Sequence, residues 1–103
     1  MINHIVLLRC HDDIDPVIKT LEDFCNEFDG AIAFKWGVNG SIEPHVMHGF
    51  NRGFVITFEN AEARDRYVND PGHKAIGKQL VSFCTHGADD IVVFDMAIGD
   101  SRS

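Results

Sequence analysis

A chain of 103 residues fits one domain, because single domains run from roughly 50 to 250 residues. A hydrophobic content of 45% with eight Phe is typical of a folded protein and excludes a disordered chain. The net charge of −7 repels polyanions, so we expect neither a nucleic-acid partner nor binding to an anionic membrane.

The first predicted strand spans residues 3–10 and contains a continuous apolar run at residues 5–8. A strand without polar alternation is typically covered on both faces. A helix follows, with Asp15 as its predicted N-cap, Pro16 as its first residue and Gly30 as its end. Its apolar residues fall on one helical stripe: Val17, Ile18, Leu21, Phe24, Cys25 and Phe28.

Two further strands are predicted from alternating patterns. Residues 31–37 alternate bulky and small or polar side chains, and residues 50–58 do so again. The Asn, Gly, Ser and Pro residues between them indicate a loop, so the two strands should pair in antiparallel fashion. The bulky face of the later strand consists of Phe50, Phe54, Ile56 and Phe58.

Two consecutive helices are predicted next. Asn60 should cap a short helix that ends near Asn69, because the residue before Pro71 disfavours helical geometry. Asp70 should cap the next helix, whose apolar stripe begins at His73. Gly87 is predicted to end this helix, and a last strand, apolar on both faces, should cover residues 90–98.

The order βαββαβ predicts an α+β, ferredoxin-like domain over residues 1–98, with a four-stranded antiparallel sheet and helices on one face. Residues 99–103 are predicted to form a flexible tail. Strands that are apolar on both faces need a second cover, and another copy of the chain would supply it. We therefore expect a homodimer.

The three cysteines, Cys10, Cys25 and Cys84, are widely spaced and form no CxxC pair. This usage is typical of a reducing compartment, where a free Cys behaves as a small buried hydrophobe. The sequence has no apolar stretch near the ~20 residues that cross a bilayer, and a strand begins almost at once, which leaves no room for a signal peptide. We expect a cytoplasmic protein.

Several segments carry a resemblance to a known family. They are residues 4–8, 37–43, 49–50, 57–59 and 93–95, and the most specific is Tyr-Val-Asn-Asp-Pro-Gly-His at residues 67–73. On these segments the chain resembles the stress-responsive dimeric α/β-barrel (Dabb) family, in which two ferredoxin-like protomers form one barrel. The family includes plant stress proteins, bacterial members of unknown role and a plant polyketide cyclase, olivetolic acid cyclase.

The resemblance implies candidate site residues. In the cyclase a tyrosine and a histidine work as a pair, the histidine as general base, and they match Tyr67 and His73. A pocket histidine of the cyclase matches His4, which implies a place in the substrate-binding pocket. The family histidine before the proline is Asp70 here, a residue better explained as a helix cap.

The residue types themselves support this chemistry. His73 would be the third residue of its helix, where the helix dipole disfavours a positive charge and leaves a usable general base. Tyr67 could donate a hydrogen bond to a carbonyl or enolate oxygen, and the pair would need no cofactor. Alternatively, both are structural: a buried histidine bonded to a carbonyl and a core tyrosine with an anchored hydroxyl.

Two other sets of residues leave alternatives open. Arg52 would bind a ligand carboxylate or an acid of the second protomer if its face lines a cavity; otherwise its side chain extends to water. His45 and His48, near Glu43, have a spacing that a metal could use, but two loop histidines predict surface residues rather than a metal site.

Two interpretations of function follow. The chain is either a stress-type homodimer that is non-catalytic or binds a small molecule, or a cofactor-independent cyclase-like or isomerase-like enzyme with His73 as base and Tyr67 as donor. Candidate ligands are small hydrophobic or aromatic carbonyl compounds. A ligand site should enclose roughly 300 Å³ or more of mostly apolar space, whereas a packed interior favours a purely structural role.

Overall fold

The computed structural model describes residues 1–99, and the elements occur in the predicted order. Apart from Gly99, the predicted tail at residues 99–103 lies outside the described residues. The strands and helices are β1 (Ile2–Leu8), α1 (Asp15–Asn26), β2 (Ala31–Val38), β3 (Arg52–Phe58), α2 (Ala61–Asn69), α3 (Pro71–Ser82) and β4 (Ile91–Ala97). Short 3-10 turns lie at Asp12–Ile14, Pro44–Val46 and Gly87–Asp90.

The four strands form one antiparallel sheet in the order β2-β3-β1-β4. This order, with the helices against one face, confirms the predicted ferredoxin-like fold. β1 is central, so each of its residues has a partner on both sides. His4 lies opposite Ile56 of β3 and opposite Asp95 of β4, which brings Asp95 beside the helix-facing row of β1.

The hydrophobic core lies between the sheet and the helices. Alternate residues of β1 and β3 point into it, as the period-2 patterns require. The apolar stripes of α1 and α3 supply the opposite wall, although the outer members of each stripe are less buried. The buried core includes Val6, Leu8, Ile18, Leu21, Cys25, Phe54, Ile56, Phe58, Tyr67, Ile76 and Leu80.

The predicted caps are confirmed for α2 and α3 but not for α1. The Asn60 side chain accepts a hydrogen bond from the Ala63 amide at 2.9 Å, and Asp70 accepts one from the Gly72 amide at 2.7 Å. Asp15, predicted to cap α1, is instead its first residue and makes no cap hydrogen bond. The preceding 3-10 turn already aligns the chain, which frees the Asp15 carboxylate for an ion pair.

Other predicted boundaries differ by a few residues. β1 covers Ile2–Leu8 instead of 3–10, and β3 starts at Arg52 instead of residue 50. α1 and α3 end at Asn26 and Ser82, before the glycines that were predicted to end them. Gly30 (φ +94°) and Gly87 (φ +59°) instead supply left-handed residues for the turns that lead to β2 and β4.

The sheet face away from the helices is apolar and uncovered in the single chain. It exposes Leu7 of β1 and the alternate β4 residues Val92, Phe94 and Met96. β4 is an edge strand whose other face is also largely exposed, because α3 stands away from it. Within residues 1–99, no helix is long and apolar enough to cross a membrane.

The cysteines are free, and two of them are buried as predicted. Burial raises the pKa of the Cys25 thiol to about 12 and that of the half-buried Cys10 thiol to about 11. Burial also raises the pKa of Cys84. All three thiols are therefore protonated near neutral pH, which does not suit a nucleophile.

Candidate functional site

A cavity of about 780 Å³, termed here the site cavity, lies between α3 and the helix-facing side of β1 and β4. Its wall is mostly aliphatic, and its volume exceeds the roughly 300 Å³ expected of a ligand pocket. It brings together His4, Tyr67 and His73, three of the four predicted site residues. The interior beside α3 is therefore open, not packed shut.

A glycine in the middle of α3 contributes to this space. Gly77 lines the site cavity, and a Cβ atom added there would have no neighbour within 4 Å. Glycine inside a helix costs about 1 kcal/mol relative to alanine, and no close packing requires it here. The missing side chain leaves the cavity accessible from the helix wall.

His73 is the third residue of α3 and lies against Tyr67, with 4.1 Å between the ring centroids. Its Nδ1 atom is buried and has no hydrogen-bond partner among the described residues. Burial lowers the pKa of His73 below 6.5, and the charges of His4 and Lys74 act in the same direction. A backbone hydrogen bond to the Val68 carbonyl, the second-largest influence after burial, partly opposes them, as does the charge of Asp70. His73 is thus neutral near pH 7, and burial is the main cause.

Tyr67 forms the inner wall behind His73. It is fully buried, and three phenylalanines surround its ring: Phe24, Phe28 and Phe58. Its hydroxyl interacts with the Cys25 thiol of α1, and burial raises the pKa of this hydroxyl. The proton of Tyr67 therefore stays on the oxygen, and the described contacts place that oxygen towards α1.

His4 is held by a carboxylate on the neighbouring strand. Its Nδ1 atom lies 2.6 Å from Oδ1 of Asp95, and Arg64 donates to the other oxygen of Asp95 at 2.8 Å. A carboxylate that is paired with arginine can only accept, so Nδ1 of His4 carries the donated proton. Nε2 is then the ring nitrogen of His4 that is left for a ligand, and no described residue donates a hydrogen bond to it.

The fourth predicted residue, Arg52, lies elsewhere. Its Nε atom donates to Asp15 at 2.7 Å, and a second nitrogen is 3.6 Å from Asp12. These acids belong to the same chain, and Arg52 is not part of the wall of the site cavity. Arg52 therefore does not join the other predicted residues in the site cavity: its guanidinium links β3 to the start of α1 and borders a second depression.

The remaining sequence candidates do not join the site. His45 and His48 are exposed in the loop between β2 and β3. Within the described part of the chain, no three His, Cys, Asp or Glu side chains are grouped as metal ligands. Asp70 caps α3, which accounts for its presence without a chemical role.

A second depression, of about 560 Å³, lies on the uncovered face of the sheet. Gly37 and Gly53 are opposite each other on β2 and β3, and the absence of two side chains creates it. Its position on the apolar face separates it from the histidines of the site cavity. It fits a contact between protomers better than a chemical site.

The sequence interpretation missed Asp95 as a site residue. The signal was present, because Asp95 alternates with the apolar residues of the last strand and shares a face with Val93. Only the register of β1 against β4 reveals its partner: His4 lies directly opposite. Without the strand order, the sequence predicts that an acid near the end of the chain is exposed.

Comparison with known proteins places this geometry in context. The model of the stress responsive A/B barrel domain family matches residues 2–98. A stress-response A/B barrel domain-containing protein from Arabidopsis thaliana, HS1, is 31% identical over 77 residues, which cover 70% of each chain.

Solved structures agree on the fold. A dimeric ferredoxin-like protein of unknown function from Jannaschia sp. CCS1 is 30% identical, with a TM-score of 0.85 and coverage of 94% of this chain and 98% of the other. A crystal structure of an Arabidopsis thaliana protein has 26% identity, a TM-score of 0.82 and 96% coverage of both chains. A hydroxynitrile lyase from Passiflora edulis, at 20% identity, shares the fold alone, with a TM-score of 0.80 and coverage of 99% and 96%.

Proposed function

Because this chain belongs to the stress responsive A/B barrel domain family, as its sequence resemblance predicted, we propose that it is a homodimer that binds a small, mostly apolar molecule in the site cavity. One observation carries the proposal. His4, Tyr67 and His73 meet in the otherwise mostly aliphatic wall of the site cavity, which has a volume of about 780 Å³. Because a mostly apolar pocket with a few converging polar groups is the usual form of a small-molecule site, the two imidazoles are the natural partners for a hydroxyl or carbonyl group of the ligand.

The homodimer accounts for the uncovered sheet face. Phe94 is 56% exposed, and Leu7, Val92 and Met96 lie beside it on the same face. Apolar patches of this kind are costly in water, and packing against a second copy about a two-fold axis would bury both at once. The 30%-identical Jannaschia protein is described as dimeric, which supports this arrangement. The site cavity lies on the other side of the sheet and stays accessible.

The ligand proposal is tested with a neutral aromatic compound, naphthalenemethanol, by isothermal titration calorimetry. We expect wild type to bind it and Gly77→Leu to bind at least about 10-fold more weakly, because the new side chain projects into the cavity. Leucine is the better helix former, so stability should not fall. Ala75→Leu, exposed on the same helix and outside the cavity wall, is the matched control. No binding by wild type, or equal binding by Gly77→Leu, would contradict the proposal.

A second candidate function is proton transfer without a cofactor. His73 is neutral near pH 7 and lies in the wall of the site cavity. In this candidate His73 abstracts a proton next to a ligand carbonyl, and His4, oriented by Asp95, presents Nε2 to the ligand. Tyr67 takes part as a hydrogen-bond donor only if its hydroxyl turns away from Cys25. Deuterium exchange at the carbon next to the carbonyl of a bound ketone, lost in His73→Ala, would support it; exchange at the uncatalysed rate would contradict it.

We assign the dimer to the cytoplasm. Three free cysteines, two of them buried, support a reducing compartment. Fractionation of cells that produce the protein tests this assignment.

A further inference from the structure

Two lysines line the site cavity on one side. Lys74 and Lys78 are four residues apart on α3, so they lie on the same helix face. Both contribute to the cavity wall, and both are exposed. In this arrangement the aliphatic stem covers apolar surface while the ammonium group stays in water. The mouth of the cavity therefore carries two positive charges.

These two ammonium groups form no ion pair with the described residues. Within residues 1–99, four cationic side chains pair with carboxylates: Arg9, Lys19, Arg52 and Arg64. Arg66 donates to the Asp29 carbonyl, and Lys35 lies beside the depression on the uncovered sheet face. Neither Lys74 nor Lys78 has an ion pair in this part of the chain. The chain has a net charge of −7, so two unpaired lysines give the opening of the cavity a charge opposite in sign to that of the whole chain.

The acid on the opposite wall does not neutralise them. Asp95 lines the same cavity, but its two oxygens already accept from His4 and Arg64 at 2.6 and 2.8 Å. The cavity thus offers a ligand three kinds of contact. Its aliphatic wall suits an apolar body, His73 suits a neutral polar group, and the lysines suit an anion.

We propose that the ligand is an amphipathic anion, whose carboxylate or phosphate group lies between Lys74 and Lys78 while its apolar body fills the site cavity beside His73. The inference rests on the proposed ligand-binding function and specifies the class of ligand. A lysine ammonium is a compact point charge, so the pair accepts either anion. The experiment decides between the two.

The test compares three compounds with the same ring system: naphthoate, naphthyl phosphate and neutral naphthalenemethanol. Dissociation constants are measured for wild type and for Lys74→Gln/Lys78→Gln at low and high salt. Exposed ion pairs contribute modestly, so we expect one or both anions to bind wild type about 5- to 10-fold more tightly than the alcohol at low salt. This preference should disappear in the double variant and shrink at high salt. Affinity for the alcohol should not change.

Lys19→Gln is the matched control, because it removes one exposed lysine on α1, outside the wall of the site cavity and away from the uncovered sheet face. It should keep the anion preference. A preference for naphthoate alone identifies a carboxylate ligand, and one for naphthyl phosphate alone identifies a phosphate ester. Equal binding of all three compounds to wild type overturns the inference and leaves the proposed function intact. Failure of all three to bind overturns both.

Discussion

The Asp95 carboxylate fixes the ring of His4 across a neighbouring strand, at 2.6 Å from Nδ1. The pair exists because β1 and β4 are antiparallel neighbours with these residues opposite each other. Arg64 of α2 holds the other oxygen of Asp95, so a helix and two strands converge on one imidazole. A side chain that is constrained from two sides presents its remaining nitrogen in a defined direction.

Replacing Asp95 tests this constraint. We expect Asp95→Asn to lower the free energy of unfolding by about 1–2 kcal/mol, because the acceptor beside a buried histidine loses its charge. Urea unfolding measures the change. Asp65→Asn is the control: Asp65 pairs with the same Arg64 but is exposed, so its removal should cost less than about 0.5 kcal/mol. Equal effects of the two substitutions would show that the bond to His4 adds nothing.

The pKa of His73 predicts a pH dependence of stability. Its folded-state pKa is lowered from 6.5, so the unfolded chain binds a proton more readily. Stability from neutral His73 is therefore present above pH 6.5 and is lost as the pH falls through the folded-state pKa. We expect wild type to lose more stability than His73→Gln between about pH 7 and pH 5. His45→Gln, which removes an exposed loop histidine, should behave as wild type. An NMR titration of His73 with a midpoint at or above 6.5 would refute the expectation.

Tyr67 is expected to act through its ring more than through its hydroxyl. Tyr67→Phe keeps every ring contact and should bind naphthalenemethanol within about 2-fold of wild type, since only the interaction with Cys25 is lost. Tyr67→Ala should destabilise the fold by about 3–5 kcal/mol through the cavity that it leaves. Calorimetry and urea unfolding measure the two effects. Loss of binding in Tyr67→Phe would assign the hydroxyl a direct contact with the ligand.

Substitutions at two neighbouring, equally exposed residues test the dimer proposal. Phe94 and Val93 are each 56% exposed, but they lie on opposite faces of β4. We expect Phe94→Glu to shift the protein towards monomer, because two like charges would meet across the two-fold axis. Val93→Glu should leave the dimer intact and weaken binding in the site cavity. Light scattering over a dilution series measures the masses. A wild-type monomer at micromolar concentration would contradict the dimer.

Arg52 is predicted to be structural. Arg52→Met should lower the free energy of unfolding by about 1–2 kcal/mol, since it breaks a close pair with Asp15 that is only partly exposed. Adding Asp15→Asn should cost little more, because both changes remove the same bond. Affinity for naphthoate should stay at the wild-type value. A large loss of that affinity would restore the sequence-based prediction that Arg52 contacts the ligand.

The strands and helices could be predicted from the sequence because each is marked by a pattern that spans only a few neighbouring residues. The alternation of Phe54, Ile56 and Phe58 marks a half-buried strand, and Asn60 and Asp70 mark helix starts through hydrogen bonds that span a few residues. The predicted ends of helices and strands were less accurate where tertiary contacts override the local sequence pattern. The sequence pattern predicts that Asp15 is a helix cap. In the structure its carboxylate instead accepts a hydrogen bond from Arg52, 37 positions later in the chain.

The arrangement of the candidate site was predictable only in part for the same reason. His73 is recognisable, because a polar residue at the head of an apolar stripe is unusual. Asp95 depends on strand register, which links residues 91 positions apart in sequence. The open space beside Gly77 depends on how far α3 stands from β4, and no local pattern encodes that distance.

The most direct test of the central claim is a map of ligand contacts in the ¹⁵N-labelled protein. Naphthalenemethanol is titrated while amide chemical shifts are followed. We predict that the largest shifts occur on α3 around His73 and Gly77 and on β4 around Val93, the walls of the site cavity. Shifts confined to the depression around Gly37 and Gly53 on the other sheet face, or no shifts at saturating ligand, would contradict it.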